Sequence, residues 1–312
     1  MAFAGKRILQ LILTLLLVSI FTFLAFQVIP GDPARAMLGI DAPEEAVQAL
    51  RVKMGLDRPP LERFLEWFSG MLTGNPGESL RFGRPIRDLI AERIPVNLAL
   101  AFLGLGMTIL IGIPLGLVSA RRPGGLTDRT IQGFTQLCLA VPPFLLGLLL
   151  ILLFGFVLRW TEVGGFRGIE DGFFPFLGGL LLPALALGLP RAAMVASFLR
   201  GSLLAQADAD YVRTAKSKGA SDLRVLYRHI LQNALVPVIS TLGIVMAELL
   251  GGSLIVEQVF GLPGLASLLL LTINSRDFPL VQTMVVYIAA IVVFVNLLTD
   301  LLYRIVDPRI RL

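Results

Sequence analysis

The chain has 312 residues, of which 55% are apolar and 16% charged, and its mean hydropathy is +0.80. An average soluble domain carries about 25% charged residues, so the composition excludes a cytosolic enzyme and a disordered chain, and a lone cysteine, Cys138, excludes a disulfide scaffold. The net charge of +5 (27 basic against 22 acidic) comes with one histidine, His229, and no Cys/His cluster, so the basic excess is tested first as membrane topology.

A helix needs about 20 apolar residues to cross a bilayer core roughly 30 Å thick. Ile8–Ile29 is long enough, carries no charge and follows Lys6 and Arg7. It outlasts the short apolar run of a signal peptide and no small-x-small cleavage site follows, which predicts a retained first span. Pro30–Pro95 is polar and reads as folded. Asp41 is placed to cap a helix with Pro43, Glu44 and Glu45 in its first turn, Arg51 and Lys53 in its last, and Gly55 after it, an order that suits the helix dipole. A second helix begins after Pro59-Pro60, with Leu61, Phe64, Leu65 and Phe68 on one face, and breaks at Gly74, Pro76 and Gly77. A third covers about Ile86–Arg93. Two readings of this segment stand: a cap packed on the membrane face, or a docking surface for an external partner or substrate.

Five more apolar runs follow, at about Val96–Ala120, Thr130–Leu158, Phe174–Leu199, Asn233–Val256 and Leu280–Ile305, giving six spans. Each of the first four contains Gly or Pro, which membrane helices tolerate. Pro142-Pro143 marks a hinge or a static kink. The polar segment 200–232 predicts a short helix over about Tyr211–Lys218, capped by Asp208 or Asp210 and stopped by Gly219, then a second helix capped by Ser221. The first of these, with Tyr211, Val212, Ala215 and three basic residues, has the shape of an element gripped by another protein; the plain alternative is a basic loop that is helical.

Glu248 lies inside the fifth run, where an acid costs about 2.5–3.5 kcal/mol on insertion scales. It either lines a pathway or makes a helix–helix hydrogen bond. Arg191 is its partner by charge, but counting from the ends of the two runs sets them roughly 12 Å apart in depth, so Arg191 is expected to snorkel away. Cys138 reads as a small core residue and His229 as structural.

With the N-terminus inside, 14 Lys/Arg fall in inner segments and three (Arg159, Arg167, Arg276) in short outer loops. This bias places both termini in the cytoplasm and explains the basic pI without nucleic acid. No G-x-x-x-x-G-K-[ST] phosphate loop occurs, so ATP is not held by that route.

The segment Asp210–Gly219, DYVRTAKSKG, resembles the coupling loop of bacterial ABC-importer permeases, a Glu-Ala-Ala triplet, three residues and Gly. Arg213, Thr214 and Ala215 take the triplet's places and Gly219 the last; Arg for Glu and Thr for Ala are departures shared with the dipeptide/oligopeptide branch. The same branch is matched by IPGDPA (Ile29–Ala34), NALVPV (Asn233–Val238), LIVEQVFGLPGL (Leu254–Leu265) and the terminal DPRIRL (Asp307–Leu312), together spanning essentially the whole chain.

The resemblance implies an all-α integral protein of the bacterial cytoplasmic (inner) membrane with the six-helix type I importer architecture. Residues 1–94 would form the first span and an extracytoplasmic helical loop, 95–305 a five-helix core with the coupling loop at 200–232, and 306–312 a tail. It implies peptide as cargo, dipeptide or oligopeptide, with nickel, glutathione or another small solute as the alternative. It implies as partners a second permease, two cytoplasmic ATPases that hold the ATP and Mg²⁺, an extracytoplasmic binding protein and membrane lipid, with no cofactor, metal or catalytic residue on this chain. Asp210, Tyr211, Val212, Arg213, Thr214, Ala215, Lys218 and Gly219 would contact an ATPase, and Glu248, Glu257, Phe260, Pro263 and Gly264 would line the pathway or its outer gate. A secondary transporter is disfavoured by the lack of an internal repeat. An intramembrane hydrolase using Ser253 and His229 would need one helix to bring together groups about 36 Å apart.

Overall fold

The computed structural model describes residues 2–28, 32–39, 41–162, 164–251 and 253–306. The Ile29–Gly31 part of the IPGDPA motif, Gly252 and the DPRIRL tail lie outside them. The described residues form α1 (Ala2–Val28), α2 (Pro33–Leu38), α3 (Glu44–Lys53), α4 (Pro60–Leu72), α5 (Ile86–Ala91), α6 (Ile94–Arg121), α7 (Leu126–Ala140), α8 (Pro143–Leu150), α9 (Phe173–Ala207), α10 (Asp210–Ser217), α11 (Asp222–Val225), α12 (Leu231–Gly251), α13 (Leu254–Phe260), α14 (Leu265–Asn274) and α15 (Phe278–Val306). Wider π-helical turns continue α8 over Ile151–Val157 and join α11 to α12 over Leu226–Ile230.

Five helical segments are long and apolar enough to cross a membrane: Gly5–Val28, Ile86–Arg121, Phe173–Ala207, Leu226–Gly251 and Phe278–Thr299. They match five of the six expected runs. The other, Thr130–Leu158, is not one straight crossing: α7 and α8 meet at 104°. The cause is local. Proline disfavours a helical conformation in the residue before it, and Val141 is extended (φ −87, ψ 122) ahead of Pro142 and Pro143. The fifth run also ends earlier than expected, at Gly251, and α13 and α14 form a second bent pair at 91° that hydropathy counting left as a loop. Gly261, at φ +63, turns the chain there.

The chain divides into two compact units, Met1–Asn97 with Pro263–Phe294, and Leu98–Leu262 with Val295–Leu312. In the first, α4 packs on α1 through rings: Phe23 meets Phe64 edge-on at 5.4 Å and stacks near Trp67 at 6.3 Å. A core of Ile86, Leu89, Ile90, Leu265, Leu268, Leu280 and Met284 ties α5 to α14 and α15. The fully buried Asp277 accepts from Ser79 Oγ at 2.5 Å and from the Arg81 N–H at 3.1 Å. That bond fixes the turn after α4 to the start of α15. Pro43 stands at the N-cap of α3 where Asp41 was expected, and α2, which the sequence pattern did not predict, is capped by Asp32 accepting from the Ala34 N–H at 3.1 Å. Arg51 reaches the same carboxylate at 2.9 Å.

The second unit is built on a seam of small residues. A Cβ on Gly112 would lie 2.7 Å from the Ala192 carbonyl oxygen, one on Gly116 2.9 Å from that of Ala196, and one on Gly188 2.8 Å from that of Gly104. Thr108 Oγ1 donates to the Gly104 and Gly188 carbonyls at 2.8 and 3.3 Å. The contacts keep one register, Gly104, Thr108, Gly112 and Gly116 on α6 against residues near 184, 188, 192 and 196 of α9, so the two helices run parallel at backbone contact. Membrane helices lack a hydrophobic drive toward each other and rely on such close packing.

A polar clasp closes one end of the seam. Asp128, in the first turn of α7, is buried and accepts from Arg200 Nε and Nη2, both at 2.7 Å, from Ser119 Oγ at 2.5 Å and from the Gly124 N–H at 2.8 Å. One carboxylate therefore joins α6, the α6–α7 turn, α7 and α9. Arg200, one of the inner basic residues by topology, is spent on this fork.

Two outcomes test this packing. Gly112→Ala is expected to cost about 1–3 kcal/mol by overpacking, seen as a lower melting temperature in detergent, whereas Gly106→Ala, with open space at its Cβ, leaves melting unchanged. Asp128→Asn and Arg200→Lys are both expected to lower the melting temperature, because one removes the charge and the other the two-pronged fork, while Asp210→Asn on the surface does not.

Candidate functional site

The predicted coupling segment is present as α10, Asp210–Ser217. Asp210 begins the helix rather than capping it. The helix ends as its sequence predicts: Gly219 adopts φ +80, and the Ala220 N–H reaches back to the Ala215 carbonyl at 3.2 Å. This is the Schellman closure that glycine permits.

The structure splits the segment's residues between two faces. Val212 is buried in a core with Leu199 and Leu203 of α9, Val225, Ile230, and Ala234 and Val238 of α12, and Tyr211, Ala215 and Ala220 pack against that core. Tyr211 Oη also donates to Gln206 Oε1 at 2.8 Å. Asp210, Arg213, Thr214, Lys218 and Gly219 are exposed. Of the three residues expected to face another protein, Val212 belongs to the chain's own core, while Tyr211 and Ala215 pack against that core and stay partly exposed. What remains outside is polar and basic. Nearby, Arg121 at the end of α6 bonds to Tyr227 and lies 5.8 Å from its ring centre, adding a cation–π contact.

A second correction concerns Arg191 and Glu248. Arg191 Nε lies 3.5 Å from Glu248 Oε2, an ion pair that depth counting had ruled out. The count failed because it started from the edge of the apolar run. Helix α9 continues past Leu199 to Ala207, and α12 begins at Leu231. Measured from those helix ends, Arg191 and Glu248 are both about 24–26 Å along. The Arg191 side chain is mostly covered, and its Nη1 donates to the Leu187 carbonyl at 2.8 Å. Glu248 remains 52% exposed.

The residues expected at an outer gate do not form one group. Glu257 is fully buried and accepts from Ser253 Oγ at 2.5 Å. That bond occupies the serine once weighed as a nucleophile, and an unbroken helical run from the π turn at His229 through α12 keeps His229 far from it. Phe260 lies over Gly147, whose Cβ would meet the ring at 2.9 Å, and lines an open cavity of about 730 Å³. Trp160, Glu162, Arg167, Gly178, Gly179 and Gln258 share that lining. Pro183, also in the wall, has no N–H, so the Gly179 carbonyl loses its normal helical donor. Pro263 and Gly264 lead into α14 instead, Gly264 at its N-cap in an extended conformation. Among the described residues no group of three or more His, Cys, Asp or Glu side chains is placed to hold a metal ion.

Sequence reading did not single out Asp128, Gln258 or the paired glycines of α9. Asp128 had a usable signal: an acid in the first turn of a helix just after Gly124-Gly125. The cavity residues had none, since 160–167 and 258–261 meet only in the fold.

Comparison with known proteins agrees with this architecture. The probable peptide ABC transporter permease protein y4tP of Sinorhizobium fredii is 38% identical over 306 residues, 98% of each chain. The oligopeptide transport system permease protein AppB of Bacillus subtilis is 36% identical over 312 residues, 99% of each chain. Among solved structures, an inward-facing MetNI methionine ABC transporter matches with a TM-score of 0.58 and 19% identity over 70% of this chain and 96% of that one. An amino acid ABC transporter with histidines matches at 0.52 and 19% identity over 71% and 94%. At that identity the structures speak for the fold alone. Residues 1–101 match the N-terminal profile of the binding-protein-dependent transport system membrane components, and residues 112–312 match that of the inner membrane component itself. The chain belongs to the binding-protein-dependent transport system inner membrane components, the permeases of ABC importers.

Proposed function

We propose that this chain is one of two permease subunits of an ATP-driven importer that carries peptides into the bacterial cytoplasm. The names of its relatives, y4tP and AppB among them, support peptide as the cargo. In this reading both termini are cytoplasmic, which the 14-to-3 distribution of Lys and Arg supports. Residues 32–91 with α2 to α5 face the opposite side, where a binding protein delivers substrate. Two partner ATPases hold the ATP and Mg²⁺; this chain contributes neither site. The family resemblance favours a related chain as the second permease over a second copy of this one.

The observation that carries the reading is the division of α10. Its basic outer face, with Arg213 and Lys218, seats in a groove of a partner ATPase. Its inner face is locked by Val212 to Leu199 and Leu203 of α9 and to Val238 of α12. A displacement of α10 therefore moves the ends of two spanning helices as packed bodies, which suits alternating access by rigid-body motion. Apart from the Gly219 turn, no flexible joint is needed.

The test is purification from the native host in mild detergent, followed by reconstitution into vesicles. Co-purification of a second permease and of ATPases, with uptake of labelled peptide that depends on ATP, is the expected result. Isolation of the chain alone, with uptake that follows an ion gradient, overturns the reading. Within the same assay, Gly219→Val forces a branched side chain into φ +80, at about 1–3 kcal/mol of local strain. Uptake is expected to fall several-fold while membrane insertion and yield survive; wild-type uptake by this variant would remove the coupling role of the α10 turn.

A further inference from the structure

Two exposed helix faces in this chain differ in kind. On α1 the exposed residues past Lys6 carry no charge and most are apolar, among them Ile8, Leu9, Ile12, Leu13, Phe21 and Leu24, with Gln10, Thr14 and Gln27 the polar ones. That face suits lipid. On α12, Asn233, Pro237, Ile244 and Glu248 are exposed and Thr241 is partly so, at spacings of three and four that make one face. The adjoining face, with Ala234, Val238, Val245 and Leu249, is buried. The Asn233 amide and the Thr241 hydroxyl donate to the His229 and Pro237 carbonyls at 3.2 and 3.1 Å, so the side chain that does not suit hydrocarbon is the carboxylate, and Pro237 adds to it by depriving the Asn233 carbonyl of its helical donor.

Glu248 is the charged group of this face and stands three residues before the end of α12, beside Arg191 near the midpoint of α9. Its partner does not saturate it. The 3.5 Å between Arg191 Nε and Glu248 Oε2 is an ion-pair distance at the edge of hydrogen bonding, and Nε is left without a hydrogen-bond partner. Arg191 is itself anchored to the Leu187 carbonyl. A carboxylate accepts at about four lone-pair positions. Arg191 thus holds the acid in place, while the exposed side of the carboxylate stays open to a donor arriving from outside.

We propose that this α12 face lines the translocation pathway and that Glu248, positioned by Arg191, binds the ammonium group at the amino terminus of the passing peptide. The identity of the cargo rests on the functional reading above; the cation site does not. Every unblocked peptide carries this ammonium whatever its side chains, so the site suits a transporter of varied sequences.

The test uses Ile244→Cys, one turn from Glu248 and 57% exposed, in a Cys138→Ala background. Membrane-impermeant cationic and anionic methanethiosulfonate reagents are applied to intact host cells and to inverted membrane vesicles, so that both sides of the membrane are probed. The cysteine is expected to react from at least one side, with the cationic reagent faster by about tenfold, the order expected from one nearby unit charge. Glu248→Gln brings the ratio close to one and Glu248→Asp keeps it, which separates loss of charge from loss of fold. Trialanine slows the reaction and N-acetyl-trialanine does not. Absence of labelling from either side, or a ratio unchanged by Glu248→Gln, overturns the site. Equal protection by both peptides overturns the ammonium assignment. A charge-dependent ratio without protection by any peptide keeps the cation site and overturns the peptide reading instead.

Discussion

Gly112 and Gly116 leave no room for a side chain because the Ala192 and Ala196 carbonyl oxygens occupy that space. This backbone contact between α6 and α9 is the constraint from which the Leu98–Leu262 part of the molecule is hung. With no hydrophobic force between helices in lipid, the approach must be close enough for dispersion and weak polar contacts to hold it. Once α9 is fixed against α6, the other partners follow. Arg200 is brought to Asp128, Arg191 to Glu248, and Leu199 and Leu203 to Val212. Each charge that belongs to α9 finds its acid because the seam sets the helix's height and rotation.

The polar groups near this helix fall into two kinds. Asp128 is saturated by four donors and serves to join elements. Glu248 is held by one cation at a longer distance and left half exposed. The same chemistry, a carboxylate beside an arginine, thus yields a structural clasp where it is buried and an accessible acceptor where it is open. Burial and the number of donors separate the two roles; residue type alone does not.

Much of this was legible in the sequence. Hydropathy placed five straight spans, the Gly219 stop was read from its position after a polar helix, and the order of short motifs pointed to the permease family later matched over both profiles. What was missed has physical causes. A window of apolar residues does not register a corner, so the extended Val141 before two prolines passed as a continuous helix, and α13–α14 passed as a loop. The apparent mismatch of Arg191 and Glu248 arose because a helix does not stop where hydrophobicity stops. The inward turn of Tyr211, Val212 and Ala215 depended on which face of an eight-residue helix meets the bundle, and only the tertiary contacts fix that.

The length of α9 has one more consequence. Its 35 residues make a rod about 52 Å long. The seam grips it at 184–196, close to the midpoint, with the α10 contacts at Leu199 and Leu203 on one arm and the cavity wall at Gly178 and Gly179 on the other. A rod gripped at its centre behaves as a balance beam: a tilt that draws one arm inward carries the other outward.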